Sequence, residues 1–234
     1  VDEAMNICEL KRFATDWAYA QGFPSDEEFK PVAQLNKNVA IIGAGPSGLT
    51  CAYYLARLGY HVDVYEAENR PGGIMTYGIP DYRLPLNIIE REIENIKKTG
   101  VNIILNTKIG VDVSFRSLQK NYDAIFIAIG AQKTLQLGIP GEDLEGVYHG
   151  LDFLKRVILQ RDLDFTGKKV CVIGGGNVSM DATRTALRLG ADSVTCVYRR
   201  RVEDMTALSE EIEEAMAEGC QILPLQAPAR IEAD

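Results

Sequence analysis

A glycine-rich turn between a strand and a helix restricts the fold of this chain more than any other feature of its sequence. Residues 43–48 read Gly-Ala-Gly-Pro-Ser-Gly and follow a short β-branched run at 38–42. Residues 46–58 then have the apolar spacing of a helix, Gly59 ends that helix, and residues 61–65 alternate as a strand does. The pattern predicts a β-α-β unit with parallel strands and the turn at the end of the first strand.

The three glycines of this turn have different roles in a dinucleotide site. Gly43 permits the tight turn, Gly45 lets a pyrophosphate approach the backbone, and Gly48 lets the helix pack closely on its strand. Glycine-rich turns also close α/β units that bind no ligand, so the turn alone leaves both interpretations open.

The residues around the glycines favour a nucleotide. The helix that begins at Pro46 and Ser47 presents unpaired N–H groups and about half a positive charge to a diphosphate. Glu66 stands at the end of the next strand, where its carboxylate can accept hydrogen bonds from ribose hydroxyls. Strand, helix and acid together predict a first dinucleotide site.

The same plan restarts later in the chain. Residues 169–173 form an apolar run, 174–179 read Gly-Gly-Gly-Asn-Val-Ser, 177–189 have helical spacing, and 193–198 read as a strand. Ser179 stands at the third glycine position, where a small side chain still allows close helix packing. The candidate contacts of this second turn are Gly174, Gly176, Asn177, Val178 and Ser179.

The second unit lacks an acid where the first has Glu66. Its second strand ends in Tyr198, and Arg199, Arg200 and Arg201 follow. A carboxylate there selects a free 2′-hydroxyl, whereas guanidinium groups pair with a 2′-phosphate. The arginines therefore favour NADP(H), with a solvated basic loop as the alternative.

The remaining pattern extends both halves. It predicts three further helices, one over 9–20, one around Ile89, Ile93 and Ile96, and one over 209–218. It also predicts a strand that begins at Val101, a strand over 221–225 and a buried strand over 123–129. We expect an α/β protein with two Rossmann-like three-layer dinucleotide-binding domains, parallel sheets and a short N-terminal helical arm. Gly22, Pro24 and Pro31 suggest a linker after the arm. The expected boundaries are 1–36 for the arm and linker, 37–148 for an FAD-binding domain and 149–234 for an NADPH-binding domain.

Composition excludes several other classes of function. A net charge of −8 would repel a phosphate backbone, so nucleic acid is an unlikely partner. The apolar runs are far shorter than the roughly 20 residues that a spanning helix needs, which predicts no membrane segment. The N-terminal residues have no signal-peptide pattern, so we expect a cytoplasmic protein.

Cysteines and histidines argue against a metal or dithiol centre. The five cysteines form no C-x-x-C pair and the chain has only two histidines. We therefore predict no metal site, and we expect the cysteines to be buried thiols of a reducing compartment. No Ser/His/Asp set or carboxylate pair stands out either, so no catalytic side chain is predicted.

A glycine- and proline-rich segment follows the first β-α-β unit. Residues 70–80 read Arg-Pro-Gly-Gly-Ile-Met-Thr-Tyr-Gly-Ile-Pro. Its glycines allow a backbone to approach a flat ring system and its prolines stiffen it, although a surface loop has a similar composition. Two nucleotide sites of different charge suggest a resident flavin and an exchanging nicotinamide nucleotide, with hydride passing between them.

At these residues the chain resembles the flavoprotein family of the NADPH-dependent glutamate synthase small subunit and the homologous part of dihydropyrimidine dehydrogenase. The resemblance covers nearly the whole chain. It is carried by the ordered segments LKRFATDWA, VAIIGAGPSGLTCAYYLARLGYHVDVYEAENRPGGIMTYGIPDYRLP, DAIFIAIGA, IPGEDLEGV, VCVIGGGNVSMDATRTALRLGA and YRRRVEDM.

The resemblance implies particular contacts and a partner. It assigns FAD to the first turn, with further contacts at Glu66, Ala67, Gly73, Ile74, Arg83, Ile109 and Gly130. It assigns NADPH to Gly176, Asn177, Val178, Ser179, Arg199 and Arg200. It also implies an enzyme that passes hydride from NADPH to FAD and then electrons to an iron–sulfur domain or subunit of the same system.

Two departures from the family pattern matter. The pattern continues into a closing flavin segment that this sequence does not contain, and it includes iron–sulfur cysteines upstream that are absent here. The resemblance thus implies a fragment with an incomplete flavin site. A non-catalytic scaffold that holds NADP(H) or a partner subunit is the alternative, while a disulfide reductase would need the missing dithiol. The final electron acceptor and the oligomeric state are left open.

Overall fold

The structure is a computed structural model and describes residues 5–30, 33–160 and 162–233. Its strands are β1 (Asn38–Ile42), β2 (His61–Tyr65), β3 (Asn102–Ile104), β4 (Ala124–Ile127), β5 (Lys169–Ile173), β6 (Ser193–Tyr198) and β7 (Gln221–Pro224). Its α-helices are α1 (Ile7–Ala20), α2 (Pro46–Arg57), α3 (Ile74–Tyr77), α4 (Leu86–Lys98), α5 (Phe115–Asn121), α6 (Gly150–Gln160), α7 (Asn177–Arg188) and α8 (Ser209–Ala217). Short 3-10 turns cover Asp26–Phe29 and Val202–Asp204. Pro31, one of the linker signals, lies outside the described residues.

The strands form two sheets whose ladders are parallel. The first has the order β3-β2-β1-β4 and the second the order β5-β6-β7. The predicted α/β class with parallel sheets is therefore confirmed.

The contacts divide the chain into two compact units. The first unit comprises residues 1–69 and 91–128, and the second comprises 70–90 and 129–234. This division differs from the boundaries expected from the sequence, because residues 70–90 pack with the later part of the chain. The flavin-binding and NADPH-binding labels for the predicted domains stay predictions.

The first unit has its core between α2 and the sheet. The most deeply buried residues of β1 and β2 are Ala40, Ile41 and Val64, and Ala52 of α2 packs in the same unit. Helix α1 is fastened to α4 by Tyr19, whose hydroxyl donates to Glu92 and accepts from the Asn95 amide. The predicted N-terminal helix is therefore part of this unit's packing.

The prediction of a buried strand over 123–129 is wrong in one respect. Residues 124–127 do form β4, but this strand lies at the edge of its sheet, and Ile127 is 58% exposed. An edge strand has a neighbour on one side only, and an apolar run by itself cannot reveal that its strand lies at the edge of the sheet. The sequence patterns do not predict helices α3, α5 and α6.

The second unit has its core around α7. Met180, Cys196 and Ala215 form one buried cluster, and Phe153, Leu154 and Val194 belong to another. Because α6 and α8 both pack on α7, this helix buries polar as well as apolar residues.

Candidate functional site

The first glycine turn lies at the carboxyl end of β1, where the sheet register sets its neighbours. Ile42 pairs with Tyr65, and the Gly43 N–H donates to the Tyr65 carbonyl over 2.8 Å. Gly43 has a φ of 103°, which favours glycine, and Gly45 is the N-cap of α2. This arrangement brings the turn beside Glu66, the residue that follows β2.

Gly48 has no room for a side chain. A Cβ atom added there would lie 2.0 Å from the carbonyl oxygen of Gly43 and 3.2 Å from the Ile41 Cγ2. Helix α2 therefore packs closely on its strand at Gly48, as expected for the third glycine.

Glu66 is fastened to the turn. The residue is only 8% exposed. Its Oε2 accepts the Ala44 N–H over 2.7 Å, and its Oε1 accepts the Glu68 N–H over 2.9 Å. A carboxylate has about four acceptor positions, so two remain for other donors such as ribose hydroxyls. Glu66 therefore shapes the turn as well as offering a negative edge.

The helices after both glycine turns begin without a side-chain cap. Asn6 and Ser114 cap α1 and α5, each by accepting a backbone N–H of the first helical turn. Gly45 and Gly176 occupy the N-cap positions of α2 and α7, and neither helix has a side-chain cap, as is also the case for α3 and α8. Pro46 has no N–H and the Ser179 N–H donates to the Gly176 carbonyl, so the other N–H groups of the first turns are left for an external acceptor, which suits a pyrophosphate.

The second glycine turn occupies the equivalent place after β5. Ile173 pairs with Val197, and the Gly174 N–H donates to the Val197 carbonyl over 3.0 Å. Gly174 has a φ of 138°, and a Cβ there would lie 2.4 Å from Ser179 Oγ. Ser179 fits at the third glycine position because Gly174, which lies opposite it, has no side chain.

Tyr198 takes the place that Glu66 has in the first unit. A Cβ on Gly175 would lie 2.6 Å from the Tyr198 ring and 3.0 Å from Met205 Cγ. The Gly175 carbonyl accepts the N–H groups of Thr206 and Ala207, and the Asn177 side chain accepts the Leu208 N–H. Residues 205–208 are therefore fixed across this turn.

The three arginines after β6 are not equivalent. Arg201 forms two hydrogen bonds with the Asp204 carboxylate, of 3.1 and 3.0 Å, and holds the pKa of Asp204 below its usual range. Within the described ranges, Arg199 and Arg200 make no ion pair, and both are exposed. Two guanidinium groups beside the second turn are thus free to meet an anion.

The segment at 70–80 is a folded turn, not an extended loop. Gly72 and Gly73 have φ values of 116° and 58°, and Gly73 caps the short helix that begins at Ile74. The Tyr77 hydroxyl donates to the Arg70 carbonyl and accepts the Arg70 N–H. The predicted contacts Gly73 and Ile74 therefore stand at a helix start, with Ile74 partly exposed.

Arg83 lies in an ion-pair network of the second unit. Its Nη1 contacts both oxygens of Asp181 at 2.9 and 2.8 Å, and its Nη2 contacts Glu211 at 2.7 Å. Glu211 also pairs with Arg184, which reaches Glu218. Burial raises the pKa of Asp181, although Arg83 opposes that shift.

The predicted contacts fall into two groups. Those in the first unit are Gly43, Gly45, Pro46, Ser47, Gly48, Glu66, Ala67 and Ile109. Those in the second are Gly73, Ile74, Arg83, Gly130, Gly174, Gly176, Asn177, Val178, Ser179, Arg199 and Arg200. Each glycine turn is assembled with its strand-end residues as expected, and the nucleotide contacts themselves stay predictions.

Sequence reasoning missed Asp181, Arg184 and Glu211. Helical spacing marks the apolar face of α7, whereas these residues are buried through partners far away in the chain. The sequence does show charged residues inside an otherwise apolar face of this helix, which indicates buried ion pairs. This pattern does not identify the partner of each charge.

Among the described residues, no group of three or more His, Cys, Asp or Glu side chains is placed to hold a metal ion. None of the helices in the same ranges is long and apolar enough to cross a membrane.

Comparison with known families gives one match over most of the chain. The family described as pyridine nucleotide-disulphide oxidoreductase matches residues 37–231.

Individual relatives agree with that family. The chain is 42% identical to the NADPH-Fe(3+) oxidoreductase subunit beta of Geobacter sulfurreducens, over 100% of this chain and 35% of that protein. It is 38% identical to the glutamate synthase [NADPH] small chain of Escherichia coli, over 93% of this chain and 48% of that protein. The chain thus spans between a third and a half of the length of these relatives.

A solved structure shows the same likeness. FprA from Mycobacterium tuberculosis in complex with NADPH is 27% identical, with a TM-score of 0.66 over 78% of this chain and 48% of that one.

Proposed function

Because the chain belongs to the pyridine nucleotide-disulphide oxidoreductase family, we propose that it is a flavin-dependent oxidoreductase module. In this proposal it passes hydride from NADPH to FAD and then electrons to an iron–sulfur domain or subunit, as in a glutamate synthase small chain. The observation that carries it is the pair of glycine turns at equivalent strand ends, one beside an acid and the other beside free arginines.

The first turn fits the diphosphate and ribose of FAD. Gly45 at an uncapped helix start leaves space and N–H groups for the diphosphate. Glu66 keeps two acceptor positions for ribose hydroxyls after binding Ala44 and Glu68. Gly43 and Gly48 hold the backbone in the shape that this requires.

The second turn fits NADPH better than NADH. The uncapped start of α7 at Gly176 can accept the diphosphate. Arg199 and Arg200 can pair with a 2′-phosphate, whereas Arg201 is already held by Asp204. A carboxylate that would favour NADH is absent from the described residues that directly follow β6.

The chain's own residues contribute binding and orientation. When bound, NADPH supplies a hydride and FAD accepts it. Such a transfer needs no acid or base, so the lack of a predicted catalytic side chain agrees with the proposal. We also propose a cytoplasmic location, because the five cysteines are free thiols. The prediction that they are buried is wrong for Cys8 and Cys171, which are exposed, whereas Cys196 and Cys220 are buried.

Nucleotide preference tests the second site. The dissociation constants of NADPH and NADH are measured at low salt for the parent chain, for Arg199→Ala/Arg200→Ala and for Arg201→Ala. We expect the parent to prefer NADPH and the double variant to lose that preference, since two charge-assisted pairs are removed. Arg201→Ala is the matched control and should keep the preference.

Salt sharpens the same experiment. The NADPH preference should shrink with ionic strength, because exposed charges are screened over about 8 Å at physiological salt. Equal dissociation constants for the two nucleotides in the parent chain at low salt would contradict the arginine assignment.

Flavin binding tests the first site separately. FAD is titrated into the parent and Glu66→Ala forms of a chain extended by the family's closing flavin segment, and the visible flavin spectrum is recorded. We expect Glu66→Ala to weaken binding by about 1 to 3 kcal/mol. An extended parent chain that binds NADPH but takes up no flavin would support the alternative of a nucleotide-binding scaffold.

A further inference from the structure

A cavity of about 400 Å³ lies within the second unit, and its lining includes no residue of the second glycine turn. One wall is formed by residues of the 75–89 stretch, and the other by α6 and the C-terminal half of α7. Most of its lining is apolar, from side chains such as Leu84, Ile89, Leu154, Val157 and Ile158. This size and character are typical of small-molecule sites, which measure roughly 300 to 1,000 Å³.

Two hydroxyls in the lining lack ordinary hydrogen bonds. Thr185 is 6% exposed, and neither its Oγ1 nor the Tyr82 hydroxyl has a hydrogen-bond partner of normal geometry among the described residues. Burial raises the pKa of Tyr82, and a hydrogen-bonding contact with the Thr185 hydroxyl, outside normal geometry, partly offsets that shift. Because buried polar groups are rarely left unsatisfied, both hydroxyls suit a ligand atom in the cavity.

The Tyr82 ring is held firmly in place. The guanidinium carbons of Arg184 and Arg188 lie 4.7 and 4.0 Å from its centroid. Arg184 pairs with Glu211, Glu214 and Glu218, and Arg188 pairs with Glu218, so both charges are engaged before any ligand arrives. Arg70 and Asp81 also line the cavity and carry opposite charges. A neutral ligand therefore fits this cavity better than an anion, which would compete with Glu218.

The cavity is separate from the proposed NADPH site. Thr185 lies eight residues after Asn177 in the same helix, which is about 12 Å along the helix axis. The two sites share a helix but use opposite ends of it.

We propose that this cavity binds a small neutral aromatic molecule whose carbonyl oxygen accepts hydrogen bonds from the hydroxyls of Tyr82 and Thr185. The apolar walls cover the ring, and the two hydroxyls define which edge of the ligand faces them. The proposal does not rest on the proposed hydride transfer, and part of the cavity lining comes from the same 70–90 segment as Gly73, Ile74 and Arg83, which the resemblance assigns to FAD.

The test uses benzamide as the probe and toluene as its counterpart without a carbonyl. Binding of both to the 234-residue chain is followed by ligand-observed NMR. Thr185→Val keeps the side-chain shape and removes the hydroxyl, and it should weaken benzamide roughly three- to tenfold. Toluene should bind to this variant at least as well as to the parent.

Thr183→Val is the matched control. Thr183 is fully buried on the same helix and its hydroxyl also lacks a normal hydrogen bond, but it faces the Cys196 and Cys220 thiols instead of the cavity. Its replacement should leave benzamide binding unchanged. Tyr82→Phe is a second variant in case Thr185→Val is poorly folded, and it should weaken benzamide to a similar extent.

Ile158→Trp fills the cavity and should abolish binding of both probes. Saturating NADPH should leave benzamide binding unchanged. Failure of the parent chain to bind benzamide, equal affinity in Thr185→Val and the parent, or retention in Ile158→Trp would each overturn the proposal. Competition with NADPH would also overturn it, because the probe would then occupy the nucleotide site.

Discussion

The two glycine turns occupy the same position in their sheets but are closed by different residues. After β1, the Glu66 carboxylate accepts the Ala44 N–H and so binds the second residue of the turn. After β5, the Tyr198 ring packs where a side chain of Gly175 would be. The residue at the end of the neighbouring strand therefore decides which position of the turn must be glycine.

The helices that follow differ as well. Helix α2 buries small or apolar residues, namely Gly48, Leu49, Ala52 and Ala56. Helix α7 buries Asp181, Thr183, Arg184 and Thr185, which belong to or lie near an ion-pair network. The same β-α-β arrangement is thus stabilised by close backbone packing in the first unit and by paired charges in the second.

Gly48→Ala should produce the largest change. Its Cβ would lie 2.0 Å from a backbone oxygen that cannot rotate away, so we expect the free energy of unfolding to fall by about 3 kcal/mol or more. Urea denaturation of the chain measures this. Ser179→Ala is the matched control in the second turn and should change little, and equal losses in the two variants would remove the distinction between the turns.

Asp181→Ala should come next. It leaves Arg83 with Glu211 as its remaining partner, and we expect a loss of about 2 to 3 kcal/mol, less than for a fully unpaired buried charge. Asp162→Ala breaks an exposed pair with Arg156 and should lower the free energy of unfolding far less, because solvent screens that pair. Similar denaturation midpoints for both variants would show that the network contributes no more than a surface pair.

Gly175→Ala should lower the free energy of unfolding by about 1 to 2 kcal/mol. The atoms in its way belong to the side chains of Tyr198 and Met205, which can shift, unlike the backbone oxygen beside Gly48. Tyr198→Leu should recover part of the loss, and a double-mutant cycle measures the coupling. Additive effects of the two substitutions would contradict the contact between ring and turn.

Glu66→Gln should have the smallest effect, about 1 kcal/mol on the stability of the first turn. The amide has one acceptor oxygen where the carboxylate has two, so one of the two backbone N–H groups loses its partner. Faster hydrogen exchange at the Ala44 N–H is the direct measurement. Tyr198→Phe, the corresponding change in the second unit, should leave that exchange rate as it is.

The sequence determined the repeated β-α-β units, the two glycine turns and the residues that close them. These are local features, because strand period, helix period and glycine at a tight turn are properties of short segments. The residues after β2 and β6 could be identified for the same reason: parallel pairing brings each strand end beside the preceding turn.

Only the tertiary structure decided which charges are free and which residues pack together. Three successive arginines look alike in sequence, but Asp204 engages Arg201 and leaves Arg199 and Arg200 without an ion pair among the described residues. Arg83 meets Asp181 from 98 residues away, and the edge position of β4 exposes an apolar run. Such outcomes depend on long-range contacts, whose partners no local pattern encodes.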